Sequence, residues 1–147
     1  MRTRELIFEA ADGRTLAATA WEPARVLGAV VVASATGVPR RIYAPLAAYL
    51  AEAGLVVLTF DYRGIGGSLD RPLRSDPTRM EDWGRLDLEA ALGWMRREHP
   101  GFRWWCSVTA PGVSSSVWRP RPGTSPGHSP SGRSWAGRGT GPGLRAG

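Results

Sequence analysis

Leu55–Ser68 reads LVVLTFDYRGIGGS, and the fold is decided by how that stretch is read. Leu55 to Phe60 is apolar or β-branched throughout and carries no charge, the signature of a strand buried on both faces. It breaks at Asp61 into a loop with glycine at positions 64, 66 and 67. Glycine lets a backbone turn sharply, and Asp61 and Arg63 can tie such a loop to itself. A buried strand that ends in a tight polar loop predicts a parallel sheet with its chemistry at that end.

Upstream, Gly28–Ala33 (GAVVVA) is a second run without polar alternation, which predicts another central strand. Between the two, Ile42, Leu46, Tyr49, Leu50 and Ala53 fall at helical spacing and predict an apolar stripe facing the sheet. Pro45 suits its first turn and Gly54 its stop. Strand, helix, strand at this spacing is a parallel crossover. Nearer the amino terminus, Leu6, Phe8 and Ala10 lead to Asp12-Gly13, and an extended pattern resumes from Thr15 to Trp21, which predicts a hairpin.

Downstream, Asp70 to Pro77 reads as an exposed connection. Thr78-Arg79-Met80-Glu81 fits a capping box that starts a second helix. Trp83, Leu86, Ala90, Ala91 and Trp94 share one face of it, Arg96-Arg97 suit its carboxyl end, and Pro100-Gly101 closes it.

Composition changes abruptly after this point. The 147-residue chain has a net charge of +6, yet all 13 acids lie at or before Glu98. Beyond His99 there are arginines and no acid. Residues 102–147 are dominated by Gly, Pro, Ser, Arg and Trp without periodicity, a composition that cannot build a core, so they are expected to form a disordered tail behind a 1–101 domain. The one cysteine, Cys106, allows no internal disulfide. The amino terminus lacks a signal-peptide core and no apolar run approaches a membrane span, so a cytoplasmic location and no membrane partner are expected.

DYRGIGGS, with ASATGV at Ala33–Val38, resembles the α/β-hydrolase superfamily, nearest its serine aminopeptidase-like and monoglyceride-lipase-like branch. The resemblance covers roughly residues 4 to 101. It implies the N-terminal half of an α/β-hydrolase fold: a hairpin, two central parallel strands and two helices. It also implies hydrolysis of an ester or amide of a small molecule through a serine acyl-enzyme, with no cofactor and no metal. By resemblance, Thr36, Gly37 and Val38 are the oxyanion-hole candidates, in the loop after the first central strand. Asp61, Arg63, Gly64, Gly66 and Ser68 match the loop that shapes the floor beneath the active site. The alternative of a phosphate cradle fails on spacing, because Gly64-x-Gly66-x-x-Leu69 lacks the third glycine and no lysine follows.

The nucleophile of such an enzyme stands on a strained G-x-S-x-G elbow, and no such pentapeptide is present. Gly127-His128-Ser129 is followed by Pro130, which has no N–H to donate. No acid follows Glu98 to complete a triad, and His99 reads as a surface residue at a helix end. The chain as written is therefore expected to be catalytically inactive.

The genetic code accounts for the break. Tryptophan has the single codon TGG, so reading from the third base of Trp104 and of Trp105 forces Val-Val. The same register permits V-V-F-G-H-S-A-G-G over the codons that follow, an apolar strand running into a serine elbow. This pattern predicts a frameshift near Phe102-Arg103, with the tail translated out of frame. Two further expectations follow. If the partner strand after Gly101 is lost, Ala29 to Ala33 presents an unpaired apolar edge open to self-association. Alternatively, the basic tail with Trp118 and Trp135 serves as a nucleic-acid-binding or interaction module, although nucleic acid is the lesser reading.

Overall fold

The computed structural model describes residues 1–108 together with Val117 and Trp118. Strands β1 (Arg2–Glu9) and β2 (Thr15–Glu22) form the antiparallel hairpin, turning at Asp12-Gly13. β3 (Gly28–Ala33) and β4 (Leu55–Phe60) are parallel neighbours joined through helix α1 (Ala44–Glu52). Helix α2 covers residues 80–98 as a turn of α-helix, a π-helical stretch Trp83–Leu88 and a final α-helical Glu89–Glu98. β5 (Trp104–Val108) and β6 (Val117–Trp118) complete a six-stranded sheet of order β1-β2-β4-β3-β5-β6.

Alternation along the central strands assigns their two faces. Val56, Leu58 and Phe60 of β4 and Ala29, Val31 and Ala33 of β3 turn to one side, where Ala91, Leu92, Trp94 and Met95 of α2 cover them. Val57 of β4 and Val30 and Val32 of β3 turn to the other, under Ala47 and Ala51 of α1. Each fully buried Val, Leu or Phe contributes about 1.5–3 kcal/mol. A strand buried on both faces has no room for polar alternation, which is why both runs could be read directly. Phe8, Phe60, Tyr62 and Trp83 extend this core toward the loop end, Tyr62 stacking on Trp83 with centroids 5.1 Å apart.

Four expectations are corrected. The stripe of α1 that meets the sheet is Ala47 and Ala51, with Leu50 half-buried, while Ile42, Leu46 and Tyr49 are exposed. Small side chains let the helix sit close on β3 and β4, and the bulky positions rotate outward. The second helix is capped one residue later than expected: the Arg79 N–H donates to Asp82 Oδ2 at 2.9 Å, and Thr78 instead bonds Asp76. Ala29 to Ala33 is not an open edge, because β5 pairs with it in parallel, Ala29 opposite Trp104 and Ala33 opposite Val108.

The fourth correction follows from the third: residues 104–108 and 117–118, assigned above to the tail, are strands, while 109–116 and 119–147 lie outside the described residues. Backbone pairing tolerates many side chains, and Trp and Val favour strands. Trp104 and Cys106 join the core under α2 while Trp105 joins the one under α1. Gly28 makes room for that indole, since a Cβ there would stand 2.6 Å from the Trp105 ring. No helix among the described residues is long and apolar enough to cross a membrane.

Candidate functional site

The parallel strands β3, β4 and β5 all end on the same side of the sheet, so the loops after Ala33 and Phe60 come together there. They are laced directly. The Arg40 N–H donates to Asp61 Oδ1 at 2.6 Å, and its guanidinium also bonds the Asp61 carboxylate. The same guanidinium reaches Thr19 Oγ1 at 3.0 Å and Glu5 Oε2 at 2.5 Å, so it spans β1, β2 and β4. Ser34 Oγ donates to the Phe60 carbonyl at 3.3 Å.

The loop after β4 is built almost entirely from buried polar groups. Asp61 is 1% exposed and accepts the Gly67 N–H at 2.8 Å. Ser68 Oγ donates to the Asp61 carbonyl at 2.7 Å and accepts the Ala17 N–H at 2.9 Å, pinning the loop to β2. Gly66 has φ +49°, and a Cβ there would lie 2.6 Å from Asp61 Oδ2, so no other residue fits. Gly64, with φ +77°, donates its N–H to the Ser68 carbonyl at 3.2 Å.

Arg63 is 4% exposed and holds three elements at once. Its N–H and Nε donate to Asp87 at 2.9 and 2.8 Å, and its terminal nitrogens reach Asp12 of the hairpin turn at 2.8 and 3.2 Å. Asp87 is fully buried in the π-helical stretch of α2. Burial pushes its carboxyl up, against the hydrogen bonds from Arg63 that pull it down. A second clamp lies beside this one: Arg14 bonds Asp76, Thr78 and Asp70, fastening the connection after the loop to the hairpin. Hydrogen bonding by Arg14 holds the Asp76 carboxyl well below the ordinary range. Asp87, Arg14 and Asp76 were not singled out from the sequence. Their partners lie far along the chain, and the local pattern offers no signal for them.

The loop after β3 is held much more lightly. The Ala35 N–H donates to the Tyr43 hydroxyl at 3.0 Å, and the Val38 N–H donates to the Ala35 carbonyl at 3.0 Å, closing a turn with Gly37 at φ +75°. That turn occupies Val38. Thr36 and Gly37 are exposed, and neither N–H meets an acceptor among the described residues. The result is a pair of unused amide donors at the carboxyl end of a parallel sheet, where a ligand's developing negative charge could be received.

The hydroxyls of Ser34 and Ser68 are buried and hydrogen-bonded as above. Cys106 is buried with its thiol pushed up to about 11, chiefly by burial. His99 precedes β5 and so lies at the opposite end of the sheet from the loops. It is half-buried against Trp94, in contrast to the surface position expected for it. No group of His, Cys, Asp and Glu among the described residues could hold a metal ion.

The strand order, the crossover through α1 and the two loops at the carboxyl ends define the opening part of an α/β-hydrolase fold. Solved structures agree. A thermostable carboxyl esterase from Bacillus coagulans superposes with a TM-score of 0.63 at 22% identity, over 72% of this chain and 36% of that one. A lidless serine hydrolase of Xanthomonas campestris gives 0.56 at 20%, over 74% and 50%. A Pyrococcus furiosus esterase gives 0.59 at 20%, over 74% and 40%. In sequence, the uncharacterized proteins Rv2307c and MT2364 of two Mycobacterium tuberculosis strains are 35% identical over 98 residues, 60% of this chain. The chain thus spans about a third of the length of these relatives, the match covering 34% of each. No family model matches.

Proposed function

We propose that this chain carries the N-terminal portion of a serine hydrolase of ester or amide bonds, of the serine aminopeptidase-like and monoglyceride-lipase-like branch, and that as written it is inactive. One observation carries the reading: the unpaired amides of Thr36 and Gly37 stand at the carboxyl end of β3, whose neighbour β5 ends level with them, Ala33 opposite Val108. In a hydrolase those amides would stabilise the tetrahedral oxyanion, a donor worth about 2.7–4 kcal/mol each. The serine would follow the strand beside them.

The frame shifted near Phe102-Arg103 permits a serine at the codons of Thr109 and Ala110, the next positions in sequence after β5. It replaces Trp-Trp by Val-Val, and both pairs favour a strand. Asp61, Arg63, Gly64, Gly66 and Ser68 then act as a floor that positions without transferring a proton, and the substrate is a small-molecule ester or amide that needs no cofactor.

Hydrolysis of a chromogenic short-chain ester tests this. The chain as written is expected to show no rate above buffer, and re-sequencing the locus around codons 100 to 115 is expected to find one further base that restores a serine elbow after the strand. Turnover by the unaltered chain, or an intact open frame with no restorable elbow, would defeat the proposal.

A further inference from the structure

The end of the sheet where β3, β4 and β5 begin carries a surface unlike that of the loop end. The Leu27 N–H donates to the Gly54 carbonyl at 2.8 Å and the Ala29 N–H to the Arg103 carbonyl at 3.0 Å, so the segments leading into the three strands lie side by side. β1 starts at this end too, with Arg2 opposite Glu22, and α2 finishes here, one short loop before β5. Leu27 and Phe102 are 60% and 41% exposed, and Met1 lines a shallow hollow with Leu27, Ala53 and Gly54. Arg2, Arg25, Arg97 and Arg103 stand on the same segments, exposed and without an ion-pair partner among the described residues. Arg4 takes Glu22 and Glu98, so among the described residues Glu52 is the acid left unpaired at this end. At the loop end, Arg14, Arg40 and Arg63 are each bound by carboxylates.

Exposed apolar tips among unpaired cations suit one kind of partner. The headgroup layer of an anionic bilayer receives apolar side chains at its acyl boundary and guanidiniums on its phosphates, so a single surface satisfies both. Nucleic acid would use the cations but wants open aromatic faces for its bases. Trp94 and Trp104, at this end, already carry Arg4 and Arg96 over their rings, at 5.8 and 5.0 Å from the centroids, and Met1 and Leu27 are aliphatic. We propose that this end of the sheet docks on an anionic phospholipid bilayer, with Leu27 and Phe102 entering the interface and Arg2, Arg25, Arg97 and Arg103 on headgroup phosphates. The expectation of no membrane partner rested on spans alone, and surface docking needs no spanning helix. The inference does not rest on the hydrolase reading. It turns the loops after β3 and β4, which leave the opposite end of the sheet, away from the bilayer.

Co-sedimentation of the whole chain with phosphatidylcholine vesicles, with and without about a third phosphatidylglycerol, tests this. Binding to the anionic vesicles alone is expected, and it should fall steeply as salt rises from about 0.1 to about 0.5 M. Arg25→Ala and Arg97→Ala should each weaken it about fivefold, and Leu27→Ser about tenfold. Arg41→Ala, on an exposed arginine near the loop end, should leave it unchanged. Five further arginines follow Trp118, so a second measurement locates the contact. An environment-sensitive fluorophore on Leu27→Cys or Phe102→Cys should shift to the blue on the anionic vesicles, and one on Leu69→Cys, at the loop end, should not. Cys106 is buried, and the parent chain carried through the same labelling controls for it. All the altered positions are exposed, and circular dichroism checks that each variant keeps its fold.

No binding to either vesicle would overturn the proposal, and so would equal binding to both. Binding that ignores Arg25→Ala, Arg97→Ala and Leu27→Ser, or a fluorophore shift at residue 69 and none at 27 and 102, would assign the contact to another part of the chain and overturn it as well. Retention of a short DNA duplex that the arginine substitutions abolish, without vesicle binding, would replace the bilayer with nucleic acid as the partner of this end.

Discussion

The loops after β3 and β4 leave the same end of the same sheet, yet they are held in opposite ways. The β4 loop is over-determined: Asp61, Arg63 and Ser68 are each at most 4% exposed, and each bonds at least two other groups. The β3 loop is fastened at its ends, by Ser34 on the Phe60 carbonyl and by the Arg40 N–H on Asp61, and between them by only one turn hydrogen bond and one tyrosine hydroxyl, so the amides of Thr36 and Gly37 meet no acceptor among the described residues. One loop spends its polar groups on itself and the other keeps donors in reserve. That contrast fits the proposed arrangement of a rigid floor beneath a receptive rim, and substitution can break it on either side.

The largest expected effect is at Arg63. Arg63→Ala leaves Asp87 buried without its cation, and breaking such a pair typically costs about 3–5 kcal/mol. Urea unfolding should show a loss of unfolding free energy of that size, while Thr36→Ala in the other loop stays within about 0.5 kcal/mol. A small loss at Arg63 would mean that the floor is not held by this pair.

The next contrast uses two glycines that both have positive φ. Gly66→Ala drives a methyl into the Asp61 carboxylate, whereas Gly37→Ala meets nothing within 4 Å. Gly37→Ala should cost only the left-handed backbone term, about 1–2 kcal/mol, and Gly66→Ala distinctly more. Equal losses in thermal unfolding would erase the distinction between the loops.

The smallest effect is the response to acid. Hydrogen bonds from Arg14 and Arg63 hold Asp76 and Asp12 below their ordinary value of 3.8. A carboxyl lowered in the native state contributes stability that is complete above its unfolded value, and that stability is lost as pH falls through the native one. Asp87 has the opposite sign, because burial raises it, so it offsets part of this loss. Stability should therefore be level above about pH 5 and decline below about pH 4. Asp76→Asn should flatten that decline, and an unchanged acid slope in Asp76→Asn would remove the Arg14 clamp from the account.

Much of the scaffold was legible from the chain because it is written locally. Asp12-Gly13 marks the hairpin, and the uncharged runs at Gly28–Ala33 and Leu55–Phe60 mark strands with both faces covered. The loop residues Asp61, Arg63, Gly64, Gly66 and Ser68 could be singled out, but not what they bond. Arg63 finds Asp87 and Asp12, and Arg14 finds Asp70, Asp76 and Thr78, through contacts that only the folded sheet creates. Helical spacing named the apolar residues of α1 but chose the wrong ones to bury. Periodicity measures hydrophobicity, and close approach of a helix to a sheet rewards small side chains.

What the amino-acid order determined by itself was where chain direction changes and which runs must leave water, since both depend on neighbours within a few residues. The tertiary structure alone decided three other matters: that Trp104–Val108 pairs with β3, that among the described residues no acceptor reaches the Thr36 and Gly37 amides, and that Leu46 faces outward. Each of these is settled by which distant groups arrive to compete for the same hydrogen bond or the same space. No local pattern records that competition.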